Sequence, residues 1–171
     1  MIPPIRLRPM MLSDLDYVQT VETGAHNQPF ITSWERAQHE GAVRFPDFRQ
    51  FVIETGPGCE RSGLVILQGC RNAQKSVEFK RIVLQPKGLG RVCVRLLKQL
   101  AFRDLHAHRF WLDVKKLNVR ALTLYASEGF VEEGRLRESV RAGDGYDTLI
   151  VMSMLDREYD ARVALGQEAP A

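Results

Sequence analysis

The sequence predicts an α/β fold built on a mixed sheet with helices on both faces. Two patterns carry this. The first half of the chain reads as strands joined by turns, and the second half alternates strands with amphipathic helices. In addition, 44% of the 171 residues are hydrophobic and 26% charged, enough apolar material for a real core.

Each element has its own signal. Ile5 and Leu7 alternate with Arg6 and Arg8, the period of a half-buried strand. Ser13 reads as an N-cap ahead of Leu15, Val18 and Val21 at helical spacing, and Ser33 as the cap of a second helix over Trp34 to Glu40. Arg49 to Thr55 and Leu64 to Cys70 are strands around the turn Gly56-Pro57-Gly58. Ser76 to Leu84, SVEFKRIVL, is a long fourth strand. Cys93, Leu96, Leu97, Leu100 and Ala101 then form the apolar stripe of a core-facing helix. RFWLDV, Arg109 to Val114, suits a buried strand. Asn118 opens a helix through Leu122 and Tyr125 that Gly129 ends. Phe130 to Arg141 and Asp147 to Leu155 close the sheet around AGDGYD. No linker interrupts this order, so one domain is expected over 1–157. Residues 158–171 are expected to be a charged, partly disordered tail with a short exposed helix that frays.

Composition bounds the function. The net charge of +3 is weaker and less clustered than that of a typical nucleic-acid binder, so no nucleic acid is expected as a partner. Three cysteines, Cys59, Cys70 and Cys93, give neither a disulfide framework nor a CxxC metal pair. His106 and His108 lack a third nearby ligand, so no metal site is expected. MIPPIRLRPMM has no apolar signal-peptide core, and no apolar run approaches the roughly 20 residues of a membrane span. A cytoplasmic protein is the expectation.

The chemistry concentrates in two segments. After the fourth strand comes QPKGLGR, Gln85 to Arg91, and then a helix. Gly88 and Gly90 let the backbone approach a ligand, and the helix start directs unpaired N–H groups at the loop, which favours phosphate. Lys87 and Arg91 add positive charge. The pattern is not GxxxxGK[ST], and Cys93 stands where a dinucleotide fingerprint needs its third glycine. In the second segment, NVRALTLYASEGF, Asn118, Ala121, Leu122 and Tyr125 share one helix face. Read alone, Asn118 is a cap and Tyr125 a core aromatic.

Together these segments resemble the GNAT superfamily of GCN5-related N-acetyltransferases. QPKGLG is similar to its Q/R-x-x-G-x-G/A acetyl-CoA motif. NVRALTLYASEGFVEEGRLRE resembles the downstream N-x-x-A-x-x-L-Y-x-x-x-G-F-x-x-x-G segment. RLRPMMLSDLDYV resembles the usual opening and GDGYDTLIVMSML the closing hairpin. The nearest branch contains ribosomal-protein N-terminal and small-molecule amine acetyltransferases. The resemblance implies a mostly antiparallel sheet of six to seven strands, with a bulged fourth strand that splays from the fifth to admit the pantetheine arm of acetyl-CoA. It implies backbone contacts from Ile82 and Leu84, and pyrophosphate binding by the loop Gln85, Lys87, Gly88, Leu89, Gly90 and Arg91. Asn118 would lie beside the pantetheine, and Tyr125 would protonate the departing thiolate. Pro86 departs from the family pattern, because it has no N–H to give a phosphate.

An amine nucleophile must first lose a proton. Glu78 is the candidate base, placed by simple alternation on a face with Lys80 and Ile82. An ion pair with Lys80 or Arg81 is the competing role. Glu22, Glu35 and Asp147 are further carboxylates near the expected acceptor cleft. The implied activity is acetyl transfer from acetyl-CoA to a primary amine, on a small molecule or a peptide, and the resemblance also implies pairing as a homodimer, the frequent assembly of this family. A non-catalytic acyl-CoA-binding protein and a ribosome- or RNA-associated protein are the other readings.

Overall fold

The computed structural model describes residues 4–85 and 88–168. Its sheet has seven strands in the order β1-β2-β3-β4-β5-β7-β6. They are β1 (Ile5–Pro9), β2 (Arg49–Thr55), β3 (Glu60–Gln68), β4 (Ser76–Leu84), β5 (Arg109–Lys115), β6 (Val131–Ala142) and β7 (Gly145–Leu155). Every neighbouring pair is antiparallel except β4 and β5, which run parallel. The helices α1 (Leu15–Glu22) and α2 (Arg36–Arg44) lie on one face. On the other lie α3 (Gly90–Gln99), α4 (Val119–Ser127) and α5 (Asp156–Ala164).

Alternation along the strands assigns each face its core. Val52, Leu64, Ile66 and Val83 meet Leu15, Val18 and Val21 of α1. Ile53, Val65, Leu67, Val77, Phe79, Phe110, Leu112 and Val114 meet the stripe of α3, where Cys93, Val94, Leu97 and Ala101 are buried, and Tyr125 of α4. α3 runs on into a single π-helical stretch, Leu100–Asp104.

Two local features set the site. Ile66 pairs with Arg81 and Leu67 with Phe79, so Lys80 has no partner and forms a bulge in β4. The bulge shifts the alternation by one. Val77 and Phe79 before it, and Ile82 and Leu84 after it, pack on the α3 face, whereas Val83 packs on the α1 face. Simple alternation over Glu78, Lys80 and Ile82 is therefore corrected: Glu78 and Ile82 lie on opposite faces. Secondly, β4 and β5 pair only at Ser76–Arg109, Val77–Phe110 and Glu78–Trp111 and then part. The expected splay is present, and it begins at the residue before the Phe79–Lys80 distortion.

Some boundaries differ from the sequence expectation. Leu12–Asp14 is a 3-10 turn and α1 starts at Leu15, so Ser13 is not its cap. The cap of α2 is Glu35, which receives the Gln38 amide and reciprocates with its own N–H, while Ser33 Oγ donates to the carbonyl of Glu22. The tail boundary at 158 also falls inside a helix. Tyr159 of α5 is 1% exposed and stacks on Phe102 with ring centroids 4.9 Å apart. Beyond it, Glu168 is buried and receives Lys98 and Arg162. The charged composition conceals one apolar anchor and one buried carboxylate, so the described part of the tail packs on the core.

Tyr159→Ala is expected to lower the unfolding free energy by about 3–5 kcal/mol, the range for removing a buried aromatic side chain. Urea denaturation checks this, and a loss under about 1 kcal/mol would mean that α5 is dispensable.

Candidate active site

Where β4 and β5 part, their facing backbone groups have no strand partner, and a cavity of about 400 Å³ opens between them. It passes from one face of the sheet to the other. On the α3 face it is walled by Phe79, Ile82, Leu112, Val114, Asn118 and Tyr125. On the opposite face it is walled by the segment Phe30–Trp34, by Gln38 of α2, and by Arg81, Asp113 and Lys115. Val140 and Leu149 of the last hairpin complete it.

Three of the residues singled out in the sequence meet here: Ile82, Asn118 and Tyr125. Asn118 is both a cap and a wall residue. Its Oδ1 accepts the Ala121 N–H at 3.2 Å while the residue lines the cavity. Tyr125 lies edge-on to Phe79 and Phe130, with centroids 5.9 and 5.8 Å away. Burial pushes its phenol pKa well above the ordinary value of 10.0, so the hydroxyl keeps its proton at neutral pH.

The loop beyond β4 divides its roles. The Gln85 N–H is taken by the Ser62 carbonyl at 2.8 Å, so that amide is not available to a phosphate. Lys87 and Pro86 lie outside the described residues. Gly88 has φ +108, a backbone conformation that side chains disfavour. Leu89 precedes α3 and sinks its side chain into the core, and its carbonyl receives the Cys93 N–H. Among the described residues no side chain caps this helix, which leaves its first-turn amides, beginning at Gly90 and Arg91, without a helical partner. A Cβ at Gly90 would come within 3.0 Å of Leu124, which explains the absence of a side chain where α3 meets α4. The Arg91 guanidinium donates to Glu128 and Ser127, so its side chain ties α3 to the end of α4. Leu84 packs inside, under Gly90.

The proposed carboxylates separate. Glu78 is held by Lys80 at 3.0 Å and does not line the cavity. Glu35 caps α2, and Asp147 accepts the N–H of Thr148. Glu22 is wholly buried. It accepts from the Trp34 N–H at 3.1 Å and from Arg81, and it lies 3.1 Å from His39 Nε2. Arg81 also donates to the Thr32 carbonyl, and its guanidinium lies 5.2 Å from the Trp34 ring centre. Glu22 thus fastens Thr32–Trp34, one wall of the cavity, to the sheet. Burial alone would raise the Glu22 pKa, but the His39 hydrogen bond and the Arg81 charge outweigh it and hold the carboxyl below its ordinary 4.5. Arg81, Asp113 and Lys115 were missed in the sequence. The available signal was RFWLDVK, where Asp113 and Lys115 alternate with Leu112 and Val114 in a strand otherwise fit for burial.

An acyl-pantetheine arm fits this architecture. The parted strands offer unpaired amides and carbonyls to its amide groups, and the α3 start suits its phosphates. This is the cofactor cleft of a GNAT-fold acetyltransferase. No protein-family model matches the chain. It is 27% identical to spermidine N(1)-acetyltransferase of Escherichia coli strain K12, over 91% of this chain and 88% of that protein. It is 26% identical to the spermidine N(1)-acetyltransferase of Vibrio cholerae, over 91% of this chain and 95% of that protein. The crystal structure of the V. cholerae enzyme in complex with CoA and spermine superposes with a TM-score of 0.82 at 25% identity, covering 91% of this chain and 97% of that one. A dodecameric structure of the same enzyme gives 0.80 at 26% identity, covering 92% and 97%. The fold and these relatives support the GNAT superfamily, and the chain is an acetyl-CoA-dependent N-acetyltransferase.

Glu22→Gln leaves Arg81 as an uncompensated buried charge. The variant is expected to lose about 3–5 kcal/mol of stability at pH 7 in urea titrations. The native Glu22 pKa lies below the unfolded value of 4.5, so its contribution is full above that pH and fades as pH falls through the lower native value. The variant should therefore show a shallower loss of stability below pH 4.5 than the wild type.

Proposed function

We propose that this enzyme acetylates the primary amine of a small molecule, with Tyr125 as the acid that protonates the leaving thiolate. The observation that carries this reading is the joint presence of Tyr125 and Asn118 on the wall of the cavity between the parted strands. When bound, acetyl-CoA supplies the activated acetyl thioester. Ile82 and its neighbours on β4 orient the pantetheine through backbone groups, and the first-turn amides of α3 with Gly88 hold the pyrophosphate. Asn118 braces the arm from α4. Tyr125 carries a proton at neutral pH, and a phenol can donate to a thiolate whose thiol pKa is about 8.5. The segment Phe30–Trp34 and the hairpin residues Val140 and Leu149 bound the acceptor end. They leave room for a compact amine, so a small molecule is favoured over a peptide. The spermidine acetyltransferases among the relatives make spermidine the reference acceptor for assay. Glu78 is the weakest part of the sequence expectation, because Lys80 holds it outside the lining. The carboxylate on the wall is Asp113.

Self-association belongs to this reading. β6 is an edge strand, exposed over nearly its whole length, and carries Val131 and Leu136 in the open. One relative is dodecameric.

Tyr125→Phe is expected to lower kcat by about 10²–10⁴ while the acetyl-CoA affinity measured by calorimetry stays within about threefold. Because the folded phenol titrates above 10.0, no alkaline limb from its ionisation should enter the wild-type rate profile below pH 10. Unchanged kcat in the variant would remove Tyr125 from the reaction and leave another acid, or water, as the proton donor. Gly90→Glu sets a negative charge at the start of α3. It is expected to weaken acetyl-CoA binding at least tenfold, about 1.4 kcal/mol, in protein whose circular dichroism matches the wild type.

A further inference from the structure

We propose that the acceptor carries a carboxylate as well as the amine, with Lys115 binding the carboxylate and Asp113 the amine. The inference rests on the acetyltransferase reading and deepens it by naming the substrate class.

It follows from the charges around the acceptor end of the cavity. Three cations and one carboxylate line it: Lys80, Arg81, Lys115 and Asp113. Two of the cations are already neutralised from outside the cavity, Lys80 by Glu78 and Arg81 by the wholly buried Glu22. Lys115 differs. It is 8% exposed, its Nζ donates to the Pro29 carbonyl at 3.1 Å, and among the described residues no carboxylate lies within ion-pair distance. A buried ammonium with one carbonyl acceptor retains donors and a charge that a ligand anion can satisfy. Asp113 is likewise without an ion-pair partner among the described residues.

Strand geometry brings the two charges onto the same side. Asp113 and Lys115 are two residues apart on β5, and the residues between and before them, Val114 and Leu112, belong to the opposite, α3-side core. Their Cα atoms are therefore roughly 6.6 Å apart, at 3.3 Å per residue. One anion and one cation at this spacing match an amine and a carboxylate separated by a short carbon chain. A polyamine matches poorly. Each of its ammonium groups needs a carboxylate or a hydrated opening, and here one carboxylate faces a buried ammonium. Across the cavity the Tyr125 wall belongs to the acyl donor, so Asp113 would receive the proton that the amine loses on attack, and the thiolate would leave with the proton of Tyr125.

The test pairs acceptors of equal length, γ-aminobutyrate with putrescine, and adds spermidine and glycine. Rates are read on wild type, Lys115→Met and Lys115→Arg. Calorimetry of γ-aminobutyrate into CoA-saturated protein supplies a readout independent of turnover. In wild type, kcat/KM for the amino acids should exceed that for the diamines by at least tenfold. In Lys115→Met the KM and the Kd for γ-aminobutyrate should rise at least tenfold, with acetyl-CoA affinity unchanged, and the preference should shift toward putrescine. Lys115→Arg keeps the charge and should retain the order. Wild type that prefers diamines, or that binds acetyl-CoA but acetylates no carboxylate-bearing amine, overturns the proposal and leaves the enzyme assignment standing. Failure to bind acetyl-CoA at all overturns the reading beneath it. If Lys115→Met does not fold, an unchanged Kd in Lys115→Gln overturns the proposal in its place.

Discussion

The parting of β4 from β5 after three paired residues is the constraint on which the molecule turns. A sheet interior does not tolerate unbonded backbone, so strands that separate must offer their amides and carbonyls to something else. Everything around the gap is arranged to keep it open and usable. Phe79 and Phe110 stack at 5.6 Å on the α3 side of the fork. α3 and α4 are fixed beside it by Glu128, which is 0% exposed and receives Arg91, Arg95 and Lys98. Burial would raise the Glu128 pKa, but Arg95 and Lys98 hold it below the ordinary carboxylate value. The same carboxylate links α3, the helix proposed to hold the phosphates, to α4, which carries Asn118 and Tyr125.

On the other side of the sheet a second buried carboxylate has a matching task. Glu22 gathers His39, Arg81 and the Trp34 amide, and so fixes the Thr32–Trp34 wall to α1, α2 and β4. The two carboxylates brace the cavity from opposite sides of the sheet: Glu128 ties α3 to α4, and Glu22 holds the Thr32–Trp34 segment. Neither lines the cavity itself. Preorganisation of this kind places reactive groups without spending substrate binding energy on ordering loops.

Much of this was legible in the sequence, for identifiable reasons. Strand order, the α3 stripe, the Gly88-x-Gly90 loop and the Asn118–Tyr125 spacing are local patterns, and local patterns survive in one dimension. The phase of β4 was not legible, because a bulge inserts one residue without any mark in SVEFKRIVL. The ion pair of Arg91 was not legible because Glu128, its partner, lies 37 positions away. Lys115 and Asp113 were passed over because a charged pair in a strand ordinarily signals solvent, and only the tertiary cover from the 30–34 segment makes them buried or half-buried. The charged tail misled for the opposite reason, since a single tyrosine was sufficient to dock it.

The unpaired Lys80 has a consequence for how this enzyme can change by descent. Without Lys80 the pairs Leu67–Phe79 and Ile66–Arg81 would follow one another in an unbroken ladder, and every residue from Arg81 to Leu84 would keep the side it now occupies. Closing the bulge at constant length would instead turn that whole run over, taking Arg81 away from Glu22 and Ile82 away from the α3 side. One residue can therefore be gained or lost at this point of β4 without reversing the groups around the gap, whereas the pairing register on either side of it is not free to drift.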